Sequence, residues 1–111
     1  MIAKAVTKYV RMSSRKVGYV IDPLRKKTVA DALGILTATN RRAVTPVYKT
    51  IASALANAKV KDPTVTEEDL IITKLVADEG PTWKRFRAAA FGRAVPIMKR
   101  TSHITVELDR K

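Results

Sequence analysis

Cysteine is absent from the 111 residues, and there is a single histidine, His103. Without cysteine there can be no disulfide, no thiol nucleophile and no Cys-ligated zinc or iron–sulfur centre. A lone histidine leaves metal centres and His-based acid–base pairs without a second member. The four glycines, at positions 18, 34, 80 and 92, lie too far apart for a G-x-G-x-x-G, G-x-x-x-x-G-K or G-x-x-G phosphate loop. Aromatic residues make up 5% of the chain and do not form the paired signature of a base-stacking sheet. Leucine heptads and zinc-finger spacings are missing as well. No apolar run approaches the ~20 residues that span a bilayer. The start Met1-Ile2-Ala3-Lys4 lacks the apolar core of a signal peptide, so the expectation is a soluble protein used where it is made.

The dominant feature that is present is charge. Twenty-two Lys and Arg against ten Asp and Glu give a net charge of +12. Solubility alone usually takes a magnitude of ~2–8 in a small domain. Self-repulsion of this size calls for a polyanionic partner. The charge is also segregated: residues 1–28 carry +7, residues 29–79 carry −1 and residues 80–111 carry +6. No acid occurs between Glu79 and Glu107, while Lys84, Arg85, Arg87, Arg93, Lys99 and Arg100 fall inside that interval. A one-signed stretch of that length is suited to lie against phosphate.

The hydropathy pattern predicts alternating elements. Ile2 to Met12 alternates loosely and reads as a strand. Ser13-Ser14 supplies an N-cap for a short helix with Val17, Val20 and Ile21 on one face, which Asp22-Pro23 ends or restarts. Thr28-Val29-Ala30-Asp31 resembles a capping box, followed by Ala32, Leu33 and Leu36 at helical spacing. A third helix carries Val47, Ile51, Ala54, Leu55 and Ala58. It begins either with Thr45-Pro46 as cap and first position or a turn earlier at Asn40, and it closes at Asp62-Pro63. Glu67-Glu68-Asp69 reads as a solvated turn rather than a metal site. Asp69 to Asp78 and Lys99 to Leu108 read as strands, the latter with Ile104, Val106 and Leu108 on one face. Between them, Gly80-Pro81 and the basic, aromatic stretch from Thr82 to Met98 suggest a long hairpin. Pairing Thr82 near Thr105 would give arms of about 12 residues reaching roughly 40 Å. Such a ribbon would project beyond a body whose radius of gyration is near ~13 Å. It is marginal in water unless a partner holds it.

Ser102 and His103, adjacent in a strand, point to opposite faces, which is poor geometry for a nucleophile and its base. No enzyme, cofactor or metal is expected. The residues describe an α+β nucleic-acid-binding protein with a protruding basic hairpin that contacts mostly phosphate and shape.

Several segments together carry a family resemblance. Asp78-Glu79-Gly80-Pro81, Lys84-Arg85, Gly92-Arg93-Ala94 and Lys99-Arg100-Thr101-Ser102-His103-Ile104-Thr105-Val106 resemble the closing signature of the bacterial L-twenty-two family of large-subunit ribosomal proteins. Ser13-Ser14 with Lys16-Val17, Asp22 with Arg25 and Lys27, and Ser53-Ala54 with Ala56-Asn57-Ala58 extend the resemblance over essentially the whole chain. It implies three helices packed on a small antiparallel sheet. The body would be formed by about residues 1–80 and 101–111, with an extended β-hairpin at about 81–103. It further implies a structural role in the large subunit: binding several rRNA domains during assembly, with the body near the exit of the peptide tunnel and neighbouring ribosomal proteins as partners. The implied location is the cytoplasmic ribosome, or an organellar one.

The candidate rRNA-binding residues in the hairpin are Lys84, Arg85, Arg87, Arg93, Lys99, Arg100, Thr101, Ser102 and His103, of which all but Arg87 match the family pattern. Those in the N-terminal segment are Lys8, Arg11, Ser13, Ser14, Arg15, Lys16, Arg25, Lys26 and Lys27. Trp83 and Phe86 either stack on unpaired bases or pack at the hairpin base. The tip (Arg87, Ala88, Ala89, Ala90, Phe91, Gly92, Arg93) would line the tunnel wall beside the nascent peptide, close to where macrolide antibiotics bind. The sequence departs from the family pattern at Ala88-Ala89-Ala90, where Pro-Arg-Ala is common, and at Phe91, often basic. It departs also at Pro23, at Lys26, where glycine is usual, and at Pro46. The alternative from another class is a free-standing nucleic-acid-binding or regulatory protein, which would bind duplex DNA as well as rRNA.

Overall fold

A computed structural model describes residues 2–88 and 94–110, with 83–88 and 94–98 described by their backbone. In chain order the elements are β1 (Ala3–Val10), α1 (Ser14–Ile21), a 3-10 turn (Asp22–Leu24), α2 (Val29–Ala38), α3 (Val44–Lys61), β2 (Leu70–Glu79), β3 (Trp83–Ala88), β4 (Ala94–Lys99) and β5 (Ser102–Arg110). The fold is α+β, three helices on a three-stranded antiparallel sheet of order β1-β5-β2, with β3 and β4 forming a separate two-stranded ribbon. The radius of gyration is 17.0 Å and the principal extents are 64 × 25 × 16 Å. Both exceed what a compact chain of this length gives, ~13 Å in radius.

Local signals act where the sequence places them. Ser13 caps α1 by accepting the Lys16 N–H, and Thr28 caps α2 by accepting the Asp31 N–H. Pro23 ends α1 and sits in the 3-10 turn, where its missing N–H costs nothing. The start of α3 differs from both expected positions: Ala43 is the N-cap, with no side-chain cap bond, and Pro46 occupies the third helical position. The first N–H groups of a helix have no intrahelical acceptor, so proline is tolerated anywhere in that turn and does not mark its first residue.

The sheet buries Ala3, Ala5, Leu70, Ile72, Leu75, Ile104, Val106 and Leu108 against Val17, Val20 and Ile21 of α1, Leu36 of α2 and Val47, Ile51 and Ala54 of α3. Within this core Thr50 is buried with its hydroxyl donating to the Pro46 carbonyl (2.7 Å). The same oxygen accepts from Thr7 at 2.6 Å. A buried hydroxyl thus stays paired while α3 seats on β1.

The register corrects the expected hairpin. Thr105 pairs with Val76 on one side and Val6 on the other, and the β2–β5 ladder runs on to Glu79↔Ser102. Among the described residues the separate ribbon pairs Trp83↔Lys99 through Ala88↔Ala94, six residues on each strand, spanning about 20 Å. The body sheet consumes β5 because its alternating apolar residues are worth more buried than in a free ribbon. The tip residues Ala89, Ala90, Phe91, Gly92 and Arg93 lie outside the described residues.

Two positions give testable consequences. Lys26 has φ 64°, a left-handed conformation, and its N–H donates to the Ile72 carbonyl at 3.1 Å, so the strained residue stitches the turn to the edge of β2. Such a conformation costs an L-residue roughly 1–2 kcal/mol, whereas glycine bears only its larger unfolded-state entropy. Lys26→Gly therefore raises stability in urea unfolding by about 0.5–1 kcal/mol.

Asp62, just past α3, accepts from the Thr64 hydroxyl (2.6 Å) and N–H (3.1 Å) and pairs with the Arg110 guanidinium. The Thr64 hydroxyl first, then its N–H and the Arg110 charge, hold the Asp62 carboxyl below its ordinary value of 3.8. A depressed carboxylate stabilises the fold above its unfolded value and loses that contribution as pH falls through the folded one. Asp62→Asn is expected to lower the melting temperature at neutral pH. It also flattens the decline on acidification below pH 3.8.

Candidate nucleic-acid interface

The segment that leaves β1 and the base of the ribbon meet at one cleft of about 910 Å³. Six cations line it: Arg11, Arg15 and Lys16 from the β1–α1 passage, Arg42 from the turn before α3, and Lys99 and Arg100 from the strand end. One carboxylate, Glu79, joins them, along with Ser13, Ser14 and Thr101. All six cations are exposed. Pockets for small molecules are predominantly apolar, whereas this lining is cationic and suits a polyanion. The N-terminus of α1, with Ser13 as its cap, opens on the same cleft, so backbone N–H groups and the helix dipole add to the positive field.

The cleft exists because chain reversal brings distant residues together. A bulge interrupts the β1–β5 ladder between Thr7 and Val10, with Tyr9 at φ 60°. Beyond it, Met12 donates its N–H to the Val10 carbonyl at 2.7 Å and turns the chain into α1. On the other side, Gly80 donates its N–H to the Thr101 carbonyl (2.9 Å), and the Thr101 hydroxyl donates to the Pro81 carbonyl (2.6 Å). A Cβ at Gly80 would stand 2.6 Å from the Thr101 Oγ1 and 3.0 Å from the His103 Cε1. Only glycine permits this approach. Gly80→Ala is expected to displace the Thr101 hydroxyl from its acceptor and cost about 1–3 kcal/mol in thermal or urea unfolding.

Of the residues expected at the interface, Arg11, Ser13, Ser14, Arg15, Lys16, Lys99, Arg100 and Thr101 line this cleft; Lys8, Arg25, Lys26 and Lys27 are exposed but are not among its lining. Arg25 is engaged elsewhere, donating from Nε to the Leu75 carbonyl at 3.0 Å and pairing with Asp22. Thr101 and Ser102 are 2% and 0% exposed. The Thr101 hydroxyl donates to the Pro81 carbonyl, and the Ser102 hydroxyl is buried among the strands. His103 accepts the Tyr9 N–H on Nδ1 at 3.1 Å and meets the Tyr9 ring edge-on, with centroids 5.1 Å apart. Lys84, Arg85 and Arg87, with Trp83 and Phe86, stand on β3, opposite β4. Arg42 was missed by sequence reasoning; its signal was the Arg41-Arg42 doublet in an otherwise uncharged passage between two helices. Among the described residues no group of acids and histidine could hold a metal ion. No helix among them is long and apolar enough to cross a membrane.

The family Ribosomal protein L22p/L17e matches residues 5–109. A large ribosomal subunit protein uL22 of Halothermothrix orenii is 49% identical over 111 residues, covering 100% of this chain and 97% of the relative. The protein of the same name from Desulfitobacterium hafniense strain Y51 is 50% identical over 109 residues, 98% of this chain and 95% of the relative. That of Syntrophus aciditrophicus is 47% identical over the full length of both. With the matched span, the antiparallel body and the segregated basic charge in agreement, this chain belongs to the L22p/L17e family of ribosomal proteins.

Proposed function

We propose that this chain is a structural, non-enzymatic constituent of the large ribosomal subunit that binds large-subunit rRNA and neighbouring ribosomal proteins. The observation that carries the reading is the cleft, where six cations from three separate chain segments stand against one carboxylate. Lysine and arginine there neutralise phosphates where RNA segments converge, release counterions and lower the cost of packing like charges. The hairpin, with Lys84, Arg85, Arg87 and Arg93, extends that contact inward along the peptide exit tunnel, and the body lies near its exit. The tip at Arg87 to Arg93 forms part of the tunnel wall beside the nascent peptide and near the macrolide site.

The test is sedimentation of native lysate through a sucrose gradient in magnesium buffer, with the chain located by mass spectrometry. It is expected at one copy per large subunit, surviving a moderate salt wash. A chain found at the top of the gradient or with nucleoid DNA overturns the reading.

A further inference from the structure

We infer that His103 acts as a neutral positioning residue: its Nδ1 locks the left-handed Tyr9 backbone and so aims the following basic segment into the cleft, rather than itself binding phosphate. This rests on the RNA reading of the cleft.

The geometry assigns the protonation state. A ring nitrogen that accepts an N–H at 3.1 Å must carry a lone pair, so the imidazole proton sits on Nε2. Tyr9 has φ 60° inside the β1 bulge, a conformation that persists only when its surroundings impose it. Two contacts impose it, the hydrogen bond to Nδ1 and the edge-on packing of the two rings. The other side of the imidazole lies against Gly80, whose missing Cβ leaves the space for Cε1 and Nε2. His103 therefore bridges the end of β1 to the base of the ribbon, next to two of the three segments whose cations form the cleft. Two residues after Tyr9 the chain reaches Arg11, and Arg15 and Lys16 follow in α1.

Protonation converts Nδ1 from acceptor to donor. It would then point an N–H at the Tyr9 N–H, and the lock opens. Among charged residues, Asp78 stands directly across from His103 on β2, and Lys8 precedes Tyr9 in the β1 bulge. The consequence has a sign that separates the two possible roles. A histidine touching phosphate strengthens RNA binding as it gains a proton. A histidine that works as an acceptor weakens it.

The experiment measures affinity for a large-subunit rRNA fragment at constant salt from pH 7.5 to 5.5. Wild type is expected to lose about five-fold in affinity, the worth of one neutral hydrogen bond. His103→Asn, whose Oδ1 replaces Nδ1 without titrating, keeps the pH 7.5 affinity and is flat with pH. His103→Leu binds more weakly throughout. Tighter binding by wild type at low pH makes His103 a phosphate ligand and overturns the inference, as does a flat wild-type profile.

A second readout needs no RNA. The Tyr9 amide resonance of the free protein should move together with the His103 ring signals as pH is lowered and stay fixed in His103→Asn. A Tyr9 amide that does not follow the ring signals overturns the lock. Absence of RNA binding at pH 7.5 overturns the RNA reading, and the positioning role with it, whatever the amide shows.

Discussion

Simultaneous replacement of Lys16, Arg42, Lys99 and Arg100 by alanine is expected to weaken binding of a large-subunit rRNA fragment by ~10²–10³-fold at 0.15 M salt. The four side chains come from three segments that converge on one cleft, and all are exposed. Exposed substitutions of this kind change stability by no more than about 0.5 kcal/mol each, so the loss reports contacts rather than unfolding. Each phosphate neutralised contributes ~0.7–0.9 to the slope of log affinity against log salt, so the variant's slope should be shallower by about 3. Removing Arg42 alone should flatten it by about one unit. An unchanged slope in the fourfold variant would remove the cleft from the RNA interface. Lys59→Ala, on the opposite end of α3 beside Val65 and Glu67, should leave the slope unchanged.

The largest effect on stability is expected from Leu108→Ala, about 3–4 kcal/mol in urea or thermal unfolding. Leu108 is 0% exposed on β5, the central strand, with Ala3 directly opposite on β1 and Ile72 on β2. The small Ala3 on one flank and the backbone ladders holding β5 on each side limit how far the neighbours can close the space, so much of the cavity persists. Domains of this size hold only ~5–15 kcal/mol of net stability. A melting point about 12–32 °C lower follows from ~4–8 °C per kcal/mol. Because β5 pairs with both β1 and β2, this one truncation also loosens the strands that frame the cleft. RNA binding should then fall as the free protein approaches its melting temperature, with the salt slope of the folded fraction preserved.

These two substitutions divide along what could be read locally. Leu108 was marked as core by simple alternation with Ile104 and Val106, and the N-caps at Ser13 and Thr28 were legible because a cap is a contact within three residues. The start of α3 was not legible, since Pro46 fits several positions of a first helical turn equally well. Arg42 was overlooked because nothing near it in the chain shares its role; its cleft partners lie at positions 11–16 and 99–100. Thr101, Ser102 and His103 looked like a run of polar groups suited to RNA. Only the junction at Gly80 and the bulge at Tyr9 turn two of those hydroxyls inward and engage the imidazole.

By itself the sequence determined the α+β class, the core faces, the three-part segregation of a +12 charge and the family, because periodicity, caps and composition act over short range or as sums. The tertiary structure alone decided the order β1-β5-β2, the register that starts the separate ribbon at Trp83↔Lys99, and the meeting of Arg11, Arg42 and Lys99 at one cleft. Strand register shifts by whole residues without altering the alternating pattern. It is chosen by long-range packing of β5 against the helices and by one bulge in β1, neither of which a local pattern encodes.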